Sequence, residues 1–167
     1  MRTPKLGLRT RPASATVIAL VIMALGVLVP LTAGVGHAHD WNDGSIQWQT
    51  YEKGLALAAK EKKPICLIFF TEWCPHCKTY SRVFHDPRVV EKAKDFVLIH
   101  VNNDKAGELA TKFSPDGPYV PRTFFLSSAG VLDPELHAPR DKFKYFYDET
   151  DPAGLLAGMD AAKKKFQ

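Results

Sequence analysis

The amino-acid sequence predicts an α/β protein in which helices flank a central mixed β-sheet. Two largely apolar runs, 64–70 and 96–101, have the pattern of strands that are buried on both faces, although His100 lies in the second run. A helical pattern separates the two runs, and a strand, a turn, a second strand and a helix follow them. Strand, helix, strand, hairpin and helix is the element order of a mixed sheet packed between helices.

The first 38 residues are expected to be a secretory signal. An apolar stretch at 15–31 follows a positive region, and Gly36 and Ala38 are the small residues that precede a cleavage site. The positive region contains Arg2, Lys5, Arg9 and Arg11. We expect cleavage after Ala38. The alternative is an uncleaved membrane anchor, although the apolar stretch is shorter than the roughly 20 residues of a spanning helix and Pro30 interrupts it.

The charge of the remaining domain, 39–167, is balanced. The whole chain has 22 Lys and Arg residues and 18 Asp and Glu residues. Four of the basic residues and none of the acidic ones belong to the signal, which leaves 18 of each. The domain therefore has no formal net charge, and nothing indicates nucleic acid or an anionic membrane as its partner.

The secondary structure of 39–167 is predicted from periodicity and turn residues. The first helix presents Tyr51, Leu55, Ala58 and Ala59 on one face, and the last helix, within 151–166, turns Leu155, Leu156 and Met159 inward. Between them we expect a strand at 64–70, a helix at 74–86, a short helix at 87–95, a strand at 96–104, a turn at 114–121, and a hairpin at 122–136 that turns at 127–130.

Two cysteines, Cys74 and Cys77, lie where the first buried strand gives way to a helix with Pro75 in its first turn. The positive end of that helix stabilises a thiolate on Cys74. Cys77 lies one turn further on, so it can close a ring with Cys74 and is shielded from attack. His76, when protonated, adds a positive charge that favours the thiolate and makes the disulfide a stronger oxidant.

Other interpretations of the cysteines remain open. A lone C-x2-C is half of a zinc site, but no second pair with ligand spacing accompanies it. A structural disulfide over so short a loop would add little stability. Cys66 lies within an apolar run and is expected to be a buried, inert thiol, with a resolving or metal-binding role as the alternative. Three cysteines are too few for a disulfide scaffold, and one close pair indicates a redox pair.

His39 follows the predicted cleavage site directly and would become the amino terminus. An amino-terminal histidine can chelate copper(II). Without an obvious second histidine ligand, we expect a solvated tail instead.

The order strand, "WCPHCK", helix and strand, with "VP" before a further strand, resembles the thioredoxin fold. The resemblance implies that Pro121 is the cis-proline that lies beside the two cysteines. It also implies that Val120 presents its backbone to a bound peptide. The surface that a substrate touches would then be small and would include Trp73, Pro75 and Pro121.

The segment 114–136, followed by "KYFY" and a final helix, is similar to a branch of small thioredoxin-like proteins of the endoplasmic reticulum. This branch includes thioredoxin domain-containing protein 12 and the anterior-gradient proteins, and the similarity covers about residues 45–165. Thioredoxin carries a buried carboxylate where this chain has Ile68. Glu72 is the nearest acid to the pair; we expect a solvated surface position for it, with a role as proton relay as the alternative. The Pro-His dipeptide is that of DsbA.

These observations predict an exported thiol–disulfide oxidoreductase in which Cys74 attacks and Cys77 resolves. Pro75 and His76 would tune the pair, an oxidant or isomerase being favoured over a reductant. No cofactor or metal is expected; the partners would be protein thiols and disulfides and a redox partner that resets the pair. The alternatives are a copper-binding module that uses Cys74, Cys77 and His76, and a peptide-binding module with incidental thiols. With no retention tetrapeptide at the end, the signal favours a bacterial periplasm.

Overall fold

A computed structural model describes residues 39–167, so the predicted signal sequence and its cleavage site lie outside the described residues. The regular elements in this part of the chain are five α-helices and three strands. In chain order they are α1 (Tyr51–Glu61), β1 (Ile65–Phe70), α2 (Pro75–Ser81), α3 (Pro87–Ala93), β2 (Val97–Asn102), α4 (Glu108–Lys112), β3 (Arg122–Leu126) and α5 (Ala153–Phe166).

The sheet has the order β2-β1-β3, with β1 at its centre. β1 runs parallel to β2, where Ile65 lies opposite Val97, and antiparallel to β3, where Ile65 lies opposite Leu126. Every residue of β1 is buried. The predicted mixed sheet flanked by helices is confirmed.

The uninterrupted apolar sequence of β1 is explained by two separate hydrophobic clusters, one on each face of the sheet. Side chains alternate between the faces of a strand. Cys66, Ile68 and Phe70 contribute to the cluster that includes residues of α2, α3 and α5. Ile65, Leu67 and Phe69 contribute to the cluster on the other face, which includes residues of α1.

The predicted second strand of the hairpin is wrong. Beyond β3 the pairing is reduced to a single bridge between Leu126 and Leu132. Pro134 and Pro139 follow, and because proline lacks a backbone N–H it cannot donate to a ladder. The N–H of Thr123 in β3 instead donates to the carbonyl of Tyr145, 2.8 Å away.

Three smaller expectations also differ from the structure. The helix predicted over 74–86 ends as an α-helix at Ser81 and continues as a 3-10 turn, Arg82–His85. α4 was not predicted. In α1, Ala59 is exposed and Gly54 is buried, because the helix packs so closely on β2 that a Cβ at Gly54 would lie 2.3 Å from Ile99. None of the helices in the described region is long and apolar enough to cross a membrane.

Candidate active site

Cys74 is the N-cap residue of α2, and Pro75 opens the helix. The backbone at Cys74 is extended, and its Sγ accepts a hydrogen bond from the N–H of Cys77 at 3.3 Å. This N–H is one of those that a helix leaves unpaired at its start, where the helix dipole is positive. The geometry therefore directs a backbone donor at the Cys74 sulfur.

The two thiols of the pair differ in access. Both are free cysteines; Cys74 is 4% exposed and Cys77 is completely buried. Burial raises the pKa of Cys77, the hydrogen bond with Cys74 and the negative charge of Glu149 raise it further, and a backbone hydrogen bond from Thr71 opposes them. A reagent from solvent can therefore reach Cys74 more readily than Cys77. Burial also raises the pKa of Cys66, which is completely buried in β1.

The Val120–Pro121 loop lies against Cys74. The peptide bond between these residues is cis, and the Cys74 thiol donates to the carbonyl of Val120 at 3.7 Å. Val120 is half-buried and so keeps part of its surface open. The structure thus brings together the cysteines and the proline loop that the sequence predicts to be neighbours.

Arg122, which follows Pro121 directly, fixes this loop from inside the protein. It is completely buried. Its Nε donates to the carbonyl of Phe113 at 2.9 Å, its Nη2 to Oδ1 of Asn103 at 2.7 Å, and its Nη1 to the carbonyl of Tyr119. Burial lowers the pKa of the guanidinium. The sequence alone does not reveal this role, because no local pattern shows that an arginine in a strand is buried and holds a neighbouring loop by hydrogen bonds.

Trp73 and Glu72 precede the pair on the outside. Trp73 is 71% exposed, and its indole N–H donates to Oδ2 of Asp104 at 2.8 Å, which orients the ring beside Cys74. Glu72 is half-buried rather than fully solvated. An exposed indole next to the reactive thiol is available to a bound polypeptide.

His76 has a partner that no local sequence pattern indicates. Its Nδ1 lies 2.8 Å from Oε2 of Glu149, which is 73 positions away in the chain. The ring of Phe146 contacts the imidazole edge-on at 6.0 Å between centroids. Together with Arg140, these residues line a groove of about 700 Å³ beside the start of α2.

The "KYFY" segment, Lys144–Tyr147, connects the proline loop to the sheet. The N–H of Lys144 donates to Asp116 at 2.6 Å, and the N–H of Tyr145 donates to the hydroxyl of Tyr119 at 3.0 Å. The Tyr145 ring lies 4.4 Å from that of Phe124 in β3. The segment replaces the missing hairpin strand and supports the loop that faces Cys74.

His39 is not a solvated tail, and that expectation is wrong. It is 3% exposed, its Nε2 donates to the carbonyl of Thr71 at 2.8 Å, and its ring contacts Phe70 edge-on. The same carbonyl accepts the N–H of Cys74 at 3.3 Å. His39 therefore braces the turn that leads from β1 to the cysteine pair. No group of three or more metal-ligating side chains is found among residues 39–167.

Comparisons with known proteins agree with this geometry. A family model described as thioredoxin-like matches residues 47–128. Anterior gradient protein 1 of Xenopus laevis is 34% identical over 126 residues, which are 74% of this chain and 67% of that protein. The human anterior gradient protein 2 homolog is 31% identical over 125 residues, 74% of this chain and 70% of that protein. A thioredoxin from Thermus thermophilus superposes with a TM-score of 0.52 at 23% identity, over 70% of this chain and 86% of that one.

Proposed function

Because this chain belongs to the thioredoxin-like family, as a relative of the anterior gradient proteins, we propose that it is a thiol–disulfide oxidoreductase acting on polypeptides. The observation that carries the proposal is the position of Cys74. Its sulfur caps α2 and accepts the N–H of Cys77, and the shielded Cys77 thiol lies one turn further along the helix. A thiolate is favoured at such a helix start, and a second thiol within reach can resolve a mixed disulfide.

In the reducing direction, the Cys74 thiolate attacks one sulfur of a substrate disulfide. A Cys74–substrate disulfide forms, and the other substrate sulfur leaves as a thiolate that takes up a proton. Cys77 then loses its proton and attacks the Cys74 sulfur, which closes the Cys74–Cys77 disulfide and releases the second substrate thiol. The substrate gains two electrons and the pair loses two.

In the oxidising direction, every step runs in reverse. A substrate thiolate attacks Cys74 in the Cys74–Cys77 disulfide, and Cys77 leaves and is protonated. A second substrate thiolate displaces Cys74, so a substrate disulfide forms and the pair gains two electrons. Isomerisation combines attack by Cys74 with expulsion of Cys74 by a different substrate thiol and transfers no net electrons.

We assign the substrate to the surface around Cys74. The half-buried backbone at Val120, the Val120–Pro121 loop and the exposed Trp73 would receive an extended polypeptide segment beside the reactive sulfur. This surface is small, so we propose weak selectivity among unfolded chains. Glu72, half-buried next to it, remains our candidate for a proton relay.

The positive charge that His76 can carry favours an oxidant or isomerase over a reductant. As an oxidant, the pair is reduced in each turnover, so a second redox protein would form the Cys74–Cys77 disulfide again. No cofactor takes part. With the predicted signal sequence, we place this activity in an exported compartment, the bacterial periplasm.

Trapping of the mixed disulfide tests this function. A scrambled, disulfide-bonded ribonuclease is incubated with Cys77→Ala, Cys74→Ala or Cys66→Ala, and adducts are separated on non-reducing gels. We expect Cys77→Ala to accumulate a covalent adduct through Cys74, Cys74→Ala to form none and lose activity, and Cys66→Ala to retain the activity of the wild type. A Cys74→Ala variant that still restored ribonuclease activity would refute the proposal and favour a peptide-binding module with incidental thiols.

A further inference from the structure

A carboxylate from the far end of the chain reaches the dipeptide between the two cysteines. Glu149 lies in the segment just before α5, and its Oε2 is 2.8 Å from Nδ1 of His76. His76 occupies the first turn of α2, directly before Cys77. The contact therefore connects the loop ahead of α5 to the residues that set the chemistry of the pair.

The other charged groups of this groove are engaged elsewhere. Asp148 accepts hydrogen bonds from Thr150 and Asp151 within its own turn. Arg140 donates to the carbonyl of Phe146 at 2.7 Å, and its guanidinium lies over the Phe146 ring. Glu149 is thus the acid of this segment that turns toward α2.

The negative charge of Glu149 also acts on Cys77. Besides burial and the hydrogen bond with Cys74, the negative charge of Glu149 raises the pKa of Cys77. A nearby negative charge disfavours a thiolate. Cys74 caps the helix turn that carries His76, so the carboxylate beside His76 also places a negative charge near the Cys74 sulfur, the attacking thiol of the pair. Since the reduction potential rises when the reduced, thiolate-bearing form is stabilised, a charge that disfavours the Cys74 thiolate makes the disulfide a weaker oxidant.

We propose that Glu149 is a redox-tuning residue: its carboxylate offsets the charge that a protonated His76 adds beside Cys74 and makes the Cys74–Cys77 pair less oxidising than the Pro-His dipeptide alone would. This inference rests on the proposed function, because tuning requires a working redox pair. Glu149 is then a second determinant of the direction of electron flow, and it lies outside the Cys-Pro-His-Cys motif.

If Glu149 had only a structural role, its removal would lower the stability of the protein and leave the redox equilibrium unchanged. The His76 and Glu149 side chains are 60% and 25% exposed, and ion pairs this open to solvent contribute little to stability. Removal of the carboxylate should therefore leave the unfolding midpoint in urea close to that of the wild type. The redox equilibrium, in contrast, should move, because it responds to charge near the sulfurs.

The test is a double-mutant cycle of Glu149→Gln, His76→Gln and the double variant, with Glu149→Lys as charge reversal. The equilibrium constant for oxidation by glutathione disulfide is measured at one pH. Glu91→Gln is the matched control, since Glu91 is an exposed acid that pairs with Lys94 on α3.

We expect Glu149→Gln to lower this equilibrium constant by roughly three- to tenfold, in the wild-type and the His76→Gln backgrounds alike. This corresponds to a rise in potential of about 14–30 mV, at 29.6 mV per tenfold for two electrons. Glu149→Lys should lower the constant further, His76→Gln should raise it, and Glu91→Gln should leave it unchanged.

An equilibrium constant that is unchanged or raised in both Glu149→Gln and Glu149→Lys would overturn the inference. If the wild-type pair equilibrates with glutathione but its equilibrium constant does not change when Glu149 is replaced, only the tuning role fails. If the wild type forms no Cys74–Cys77 disulfide at all, the proposed function fails, and the tuning role fails with it.

Discussion

Substitution of Arg122 tests how the proline loop is held against Cys74. The guanidinium donates to two backbone carbonyls and one side-chain amide, and it lies over the rings of Phe69 and Tyr119 at 5.1 and 5.9 Å. Arg122→Met fills a similar volume but removes all three donors. Arg122→Lys keeps the charge but replaces the planar fork with a single ammonium that cannot reproduce the three bonds.

The expected loss of stability can be worked out from these contacts. A buried acceptor left without its donor costs about 1–3 kcal/mol, and three acceptors are affected. Against this, Arg122→Met also removes the cost of burying a charged group whose three hydrogen-bond acceptors are all neutral. We expect a net loss of about 2–4 kcal/mol for Arg122→Met. Arg122→Lys should lose at least as much, because its ammonium stays buried with fewer partners.

Urea unfolding of the oxidised and reduced proteins measures these losses. Arg140→Met is the matched control, since Arg140 is exposed, donates to one carbonyl and covers one ring, and it should cost less than about 1 kcal/mol. Both Arg122 variants should also exchange disulfides more slowly, because the Val120 carbonyl loses its support. If Arg122→Lys is fully active and its free energy of unfolding lies within about 1 kcal/mol of the wild-type value, Arg122 does not hold the proline loop in place.

Two further predictions concern the framework around the site. A Cβ at Gly158 would lie 2.7 Å from the Phe125 ring, so Gly158→Ala should destabilise the protein by about 1–3 kcal/mol in urea unfolding. Gly154→Ala on the same helix has room and should be neutral or stabilising by up to about 1 kcal/mol; equal effects of the two would contradict this packing. Hydrogen bonds from Arg88 lower the pKa of Asp86 to about 2, so the stability that its carboxylate adds is present above about pH 4 and lost as the pH falls toward 2. Asp86→Asn should remove this part of the acid transition, and an identical pH profile of unfolding would contradict it.

The sequence is most informative where local pattern and burial agree. β1 is predictable because an uninterrupted apolar run fits only a strand covered on both faces, and the structure provides a cluster on each side. The cysteine pair and Pro75 are recognisable from their spacing, and the Val120–Pro121 loop from the resemblance to the thioredoxin fold. They meet because β1 and β3 are adjacent in the sheet and the loop precedes β3 directly.

The sequence is least informative where distant residues meet. His39 contacts Thr71 across 32 positions, and Glu149 contacts His76 across 73. No periodicity marks such pairs, since each depends on how loops pack onto the finished sheet. The prediction of a second hairpin strand was wrong for a local reason. Apolar residues after β3 suggested a strand, but Pro134 and Pro139 prevent a ladder of hydrogen bonds.

The reduction potential of the Cys74–Cys77 pair tests the central claim most directly. Equilibration with glutathione, read by alkylation of the reduced form, gives the value. With His76 favouring oxidation and Glu149 opposing it, we predict a potential near that of protein disulfide isomerase, about −180 mV, between DsbA at about −120 mV and thioredoxin at about −270 mV. A potential at or below the thioredoxin value would contradict an oxidant or isomerase, and a pair that does not equilibrate with glutathione would contradict the oxidoreductase itself.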